Sequence, residues 1–183
     1  MASGGVHLLG GFAVGALTRS VPIAMAAGLA SHVALDVVPH RDYQTWSANA
    51  IDTIAGLVAA MILIRALPQR ARARAIAGAW AGIMPDLEVV ACRAGFLAEE
   101  KKRFPTHSGK VRHGSGGPVS TVVLWACAVG GAMLAVEHRS TERAVIELLA
   151  PGAPELPAAV GPRRRRRGKG RAQCGRVCRI ERR

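Results

Sequence analysis

The sequence predicts an all-α fold, a polytopic membrane helical bundle of about five apolar helices followed by a disordered basic C-terminal tail. Three observations carry that prediction. Half of the 183 residues are hydrophobic while only 4% are aromatic, the make-up of small-residue helices whose backbones approach closely, as membrane helices do. Long apolar runs alternate with proline, glycine and charged breakers. The formal charge of +13 is concentrated: from Arg163 onward the chain holds 11 of its 25 basic residues and one acid, Glu181. The remaining 14 basic residues face 11 acidic ones, a net of +3. The basicity therefore belongs to the tail, and the expected division is a helical domain over 1–150 and a Pro/Arg-rich tail over 151–183.

Five segments follow in order. The first runs from Val6 to Leu17, the second from Val21 to Val38, the third from Ala50 to Leu67, the fourth from Ala75 to Val90 and the fifth from Pro118 to Val136. Arg19 to Pro22, Pro39 to Asn49, Pro68 to Arg74 and the long polar loop Arg93 to Gly117 separate them. A hydrocarbon core of about 30 Å asks for about 20 apolar residues per span. The third and fifth segments meet that length; the second and fourth carry acids, and the first is short. The start, MASGGVHLL, lacks the basic n-region of a cleavable signal peptide, so the N-terminus is expected to be retained. Cys92 and Cys127 lie in apolar runs and are expected to be packed thiols.

Threading these segments up and down places the polar residues. His7 opens the first helix; His32, Asp36 and His40 close the second; Asp52 opens the third; Asp86 closes the fourth; His107 and His113 precede the fifth. All fall at one end of an antiparallel bundle. Within SHVALDVVPHRDY, His32 and Asp36 are four residues apart, so an imidazole and a carboxylate share one helix face among Val33, Ala34, Leu35, Val37 and Val38. An aspartate buried there costs several kcal/mol, roughly, unless a cation or strong donors compensate.

Imidazoles and carboxylates gathered in this way suit a divalent metal, zinc first and manganese or iron next, because nitrogen donors favour the borderline ions. His7, His32, Asp36, His40, Asp86, His107 and His113 are the candidate ligands. Such an ion lowers the pKa of a bound water to roughly 7, which points to hydrolysis. Asp52 or Glu88 is then the candidate general base. Lys110 and Arg112, in the glycine-rich loop FPTHSGKVRHGSGG, are the candidate clamp for an anionic ester. Each residue alone has a duller reading: His7 as a helix cap, Asp52 as a helix N-terminal acid, Asp86 as a helix end, and His40 and His113 as loop residues.

The motifs VHLLGGFAVG, SHVALDVVPHRDY, GIMPDLE and THSGKVRH together resemble the YdjM-like membrane-bound metal-dependent hydrolases of bacterial inner membranes. The resemblance covers residues 6 to 136. It implies a multi-pass inner (plasma) membrane protein in which His7, His32, Asp36, Asp86 and His107 occupy the family's polar positions. One departure stands out: no histidine follows Asp86-Leu-Glu88-Val, so Glu88 substitutes there or a second metal position is lost.

The expected function is hydrolysis of an ester or phosphoester of a lipid-like substrate, with membrane lipid as the surrounding partner and nucleic acid relevant only to the basic tail. The alternative is a non-enzymatic membrane protein that binds or passes metal ions or protons through the same residues. A third reading is an anchored scaffold whose arginine tail binds anionic lipid or nucleic acid.

Overall fold

The computed structural model describes residues 3–40, 43–111 and 114–149, and the described residues are all helical or loop, without strands. The tail expected over 151–183 lies outside them. α1 covers Gly4–Leu17, α2 Val21–Val37, α3 Trp46–Ala66, α4 Gln69–Ile83, α5 Asp86–Arg93 and α6 Pro118–Leu149, with a 3-10 turn at Glu99–Lys101 between α5 and α6.

Local chemistry sets most of these limits. The Ser3 hydroxyl accepts from the Val6 amide and starts α1, and Thr45 does the same for Ala48 at the start of α3. Pro22 occupies the first turn of α2, where its missing N–H costs nothing. Pro39 follows the end of α2, as the bias of pre-proline residues against helix requires.

Three segments differ from the sequence expectation, the third first: its helix starts at Trp46, four residues before Ala50. The fourth segment is not one helix ending near Val90. It starts at Gln69, so Arg70, Arg72 and Arg74 are helical, and it breaks at Met84-Pro85, where α5 leaves at a bend of 43°. Asp86 therefore opens α5 instead of closing α4. The fifth segment does not stop at Val136 but continues to Leu149. Its added turns are held by ion pairs one turn apart, Arg139 with Glu142 and Arg143 with Glu147. Arg139 also caps α1, donating from Nε to the Ala16 carbonyl at 2.8 Å and from Nη2 to the carbonyls of Leu17 and Thr18.

α1 is the axis of the fold. Nearly all of its side chains are buried, with Val6, Leu9, Phe12 and Ala16 at 2% exposure or less, and α2, α3, α4 and α6 all pack on it. A helix apolar all round is buried all round. Its seam with α2 and α4 is made of backbone: a Cβ on Gly78 would lie 2.3 Å from the Gly11 carbonyl oxygen, and one on Gly28 would lie 2.2 Å from that of Gly78. Any side chain there forces the helices apart.

The outer faces of α3 and α6 are the reverse. Ile51, Ile54, Ile62, Val119, Val122 and Leu134 are each more than half exposed, so these faces present large apolar side chains outward. α3 and α6 are long and apolar enough to cross a membrane, and the bent pair α4–α5 makes a third candidate if it counts as one span. At 1.5 Å per residue the 21 residues of α3 measure about 31 Å, the thickness of a hydrocarbon core. Cys127, expected to be packed, is exposed on α6, and Cys92 is half-buried.

Candidate metal centre

Four pieces of chain meet at the end of the bundle where α1 begins and α2 stops. α1 brings His7 from its first turn, α2 brings His32 and Asp36 from its last two turns, α5 brings Asp86 from its first residue, and the loop before α6 brings His107. His7, His32 and Asp36 are at most 2% exposed, while the side chains of His107 and Asp86 keep 4% and 15%.

The imidazoles present the same atom to the carboxylates. Nε2 of His7 lies 3.2 Å from Asp36 Oδ1, and Nε2 of His32 lies 3.1 Å from Asp36 Oδ2. Nε2 of His107 stands 3.5 Å from Asp36 Oδ2 and 3.7 Å from Asp86 Oδ1. His32 Nε2 is 3.4 Å from His107 Nε2 and 4.0 Å from Asp86 Oδ1. The rings of His7 and His32 stack at 4.0 Å, and Phe104 closes the side facing His32 and His107. The Thr106 hydroxyl donates to Asp36.

His32 Nδ1 lies 2.6 Å from the Gly82 carbonyl, which can only accept, so Nδ1 carries a proton. In the neutral ring Nε2 is then a bare lone pair, 3.1 Å from a carboxylate oxygen and 3.4 Å from another imidazole nitrogen. Electron-rich atoms so placed require positive charge between them, a proton or a metal ion. The edges of a tetrahedron around zinc, with bonds of about 2.0–2.1 Å to nitrogen and 2.0–2.2 Å to oxygen, measure about 3.3–3.5 Å. The separations here, 3.1 to 4.0 Å, bracket that figure. Two triads, His7/His32/Asp86 and His32/Asp36/His107, bring their ligand atoms within 4.8 Å of one another. The donor set fits a divalent ion of the zinc type, with the Gly82 carbonyl fixing the tautomer of His32 as an outer partner does in such sites.

Other residues picked from the sequence lie elsewhere. His40 is buried, but its Nδ1 donates to the Val38 carbonyl at 2.7 Å, and it belongs to neither triad. Asp52 is not a base beside the cluster. Its Oδ1 accepts from Tyr43 Oη at 2.9 Å and Trp125 Nε1 at 2.6 Å, its Oδ2 accepts from the Gly5 amide at 2.8 Å, and the Ser3 hydroxyl lies within 2.9 Å of both oxygens. A carboxylate so fully bonded holds helices together. Burial first, and then the bond to Asp52 and its charge, push the Tyr43 phenol up to about 12. Glu88 accepts from the amides of Arg103 and Phe104 at 2.9 to 3.2 Å and so anchors the loop that delivers His107. Lys110 is exposed on that loop. Arg112 and His113 lie outside the described residues.

The sequence reading missed Thr106, Phe104 and the Gly82 carbonyl. The first two precede His107 within FPTHS, so their proximity to it is legible in the sequence. A backbone carbonyl on another helix leaves no residue-type signal. Comparison with protein-family models, with curated proteins and with solved structures finds no match to this chain.

Proposed function

We propose that the chain is a multi-pass membrane protein that acts as a metal-dependent hydrolase on an ester or phosphoester of a lipid-like substrate, and that it is a distant relative of the YdjM-like hydrolases of bacterial inner membranes. The observation that carries the reading is the approach of three imidazole Nε2 atoms to Asp36 at 3.1 to 3.5 Å inside an otherwise apolar bundle. His7, His32 and His107 would hold the ion with Asp36 and Asp86. An ion there supplies Lewis acidity, polarising an ester or phosphoryl oxygen and acidifying water. The residues do the rest. Gly82 and Thr106 hold His32 and Asp36 in place, and Phe104 keeps bulk water from one flank. Asp86 lines a small cavity and its Oδ2 has no hydrogen-bond partner among the described residues, so this oxygen would take a proton from the attacking water. Lys110, exposed on the histidine loop, extends into the solvent from which a charged head would approach.

A path for ions or protons would need polar groups through the bundle. The fully buried polar side chains among the described residues, from Ser3 to Thr121, all belong to the end that carries the cluster, which favours a site at one face. The test is elemental analysis of detergent-purified protein beside a His32→Ala, Asp36→Ala double variant, followed by a screen of simple esters and phosphoesters. The expected result is about one equivalent of zinc, manganese or iron, lost in the variant together with any turnover. Equal metal content in the two proteins, or none in either, overturns the reading.

A further inference from the structure

Two cavities lie end to end beside the cluster. The smaller, about 130 Å³, is lined by Gly4, Asn49, Thr53, Ile83, Asp86 and Leu87 among others. Asp86 also faces His32 and His107, so this cavity begins at the candidate metal centre. It is polar where it begins: Asp86 Oδ2 and Asn49 Oδ1 are both buried acceptors without a hydrogen-bond partner among the described residues. Gly4 and Thr53 approach closely at its wall, where a Cβ on residue 4 would sit 2.5 Å from Thr53 Oγ1. Thr53 and Ile83 line the second cavity as well. This one, about 420 Å³, is an apolar groove between α3 and α4, floored by α1 through Leu8 and Phe12 and walled by Leu57, Met61, Ile64, Ile76 and Trp80.

We propose that these two cavities form one site for a single-chain lipid ester, with a hydroxyl-bearing head in the small cavity at Asn49 and Asp86 and its acyl chain in the groove. The proposal rests on the hydrolase reading for its chemistry and on the cavities for its ligand. Length supports it: from Thr53 to Ile64 the groove follows about 16 Å of helix, the depth of one leaflet of a core about 30 Å thick. Charge supports it too. Two acceptors, one of them a carboxylate, call for a head that donates hydrogen bonds, as glycerol does, and disfavour a free anionic phosphate. Hydrolysis of such an ester breaks the bond between the acyl carbon and the glycerol oxygen and forms a bond from that carbon to the oxygen of water. One proton of the water goes to the glycerol oxygen, and the other leaves with the acid.

The experiment uses the full chain in phosphatidylcholine vesicles and 1-dodecanoylglycerol bearing a diazirine on its terminal carbon. After irradiation, peptide mapping locates the label. Label on Met61, Ile64, Ile76 or Trp80 that excess unlabelled 1-dodecanoylglycerol displaces is the expected result. Ile76→Trp changes a rim residue that is 55% exposed and leaves the core untouched. It fills at least two methylenes' worth of groove and should weaken the competitor about tenfold. Label spread evenly over Ile51, Val122 and the other outward positions, and not displaced by competitor, is annular lipid and overturns the proposal. The two readings fail separately. A chain without metal or turnover that labels saturably keeps the groove and sinks the hydrolase, whereas one that cleaves p-nitrophenyl acetate but labels without saturation does the opposite.

Discussion

Asp36 and Asp52 are both buried aspartates on apolar helices at the same end of the bundle, at 0% and 5% exposure, yet only Asp36 faces imidazoles. Asp52 is met by a serine hydroxyl, a backbone amide, a phenol and an indole, groups that donate and keep their protons at neutral pH. Asp36 is met by one such donor, the Thr106 hydroxyl, and by three imidazoles through the nitrogen that can carry a proton or bind an ion. The first carboxylate is closed and makes architecture. The second faces nitrogens able to share a proton or an ion with it, which is what a metal centre would require. Burial alone does not separate them; the chemistry of the neighbours does.

The comparison can be broken most forcefully at Asp52. Asp52→Ala strands the Ser3, Gly5, Tyr43 and Trp125 donors, and the expected loss is about 3–5 kcal/mol of stability in detergent unfolding, the same with or without added metal. If added zinc restored the variant, Asp52 would belong to the metal centre and the distinction would collapse. At Asp36 the dependence runs the other way. Chelation of the wild-type protein should remove about 2.7 kcal/mol, the linkage expected where metal had been present at 100 times its dissociation constant, and chelation of Asp36→Ala should remove nothing. Equal responses in thermal melts of the two proteins would make Asp36 architecture as well. The smallest effect is a titration. Tyr43 is the chain's single tyrosine, so absorbance near the phenolate band reads it alone. The midpoint should fall at about 12, and Asp52→Asn should bring it back toward the ordinary value of about 10. Because folding raises this pKa, the Tyr43 contribution to stability is complete below about pH 10 and fades as pH climbs through about 12. A wild-type midpoint near 10 would mean that the phenol does not bind the carboxylate.

What the sequence could show of this site was periodicity and topology. His32 and Asp36 share a face because they are four apart, and His7, Asp86 and His107 reach the same end because short connections alternate the direction of apolar segments. The break at Met84-Pro85 was legible too, because a proline inside an apolar run interrupts the helix. Other features had no local signal. The donors on Asp52 come from residues 3, 5, 43 and 125, joined by no spacing or motif. A hydrophobic run reads alike whether it faces lipid or lies at the axis, so α1 looked like a short span when its role is to be the core. The extension of α6 past Val136 depends on ion pairs that favour helix after apolarity has ended.

The central position of α1 has a consequence for the making of the protein. The helix on which α2, α3, α4 and α6 all pack leaves the ribosome before any of them, and α6 begins at Pro118, about a hundred residues after Leu17. At about 5 to 20 residues per second, α1 waits roughly 5 to 20 seconds for its last neighbour. During that interval a 14-residue helix with glycine-lined flanks has no finished fold to bury it. Synthesis therefore exposes the future core first, and the growing chain depends on its surroundings, or on a chaperone, to shelter α1 until α6 arrives.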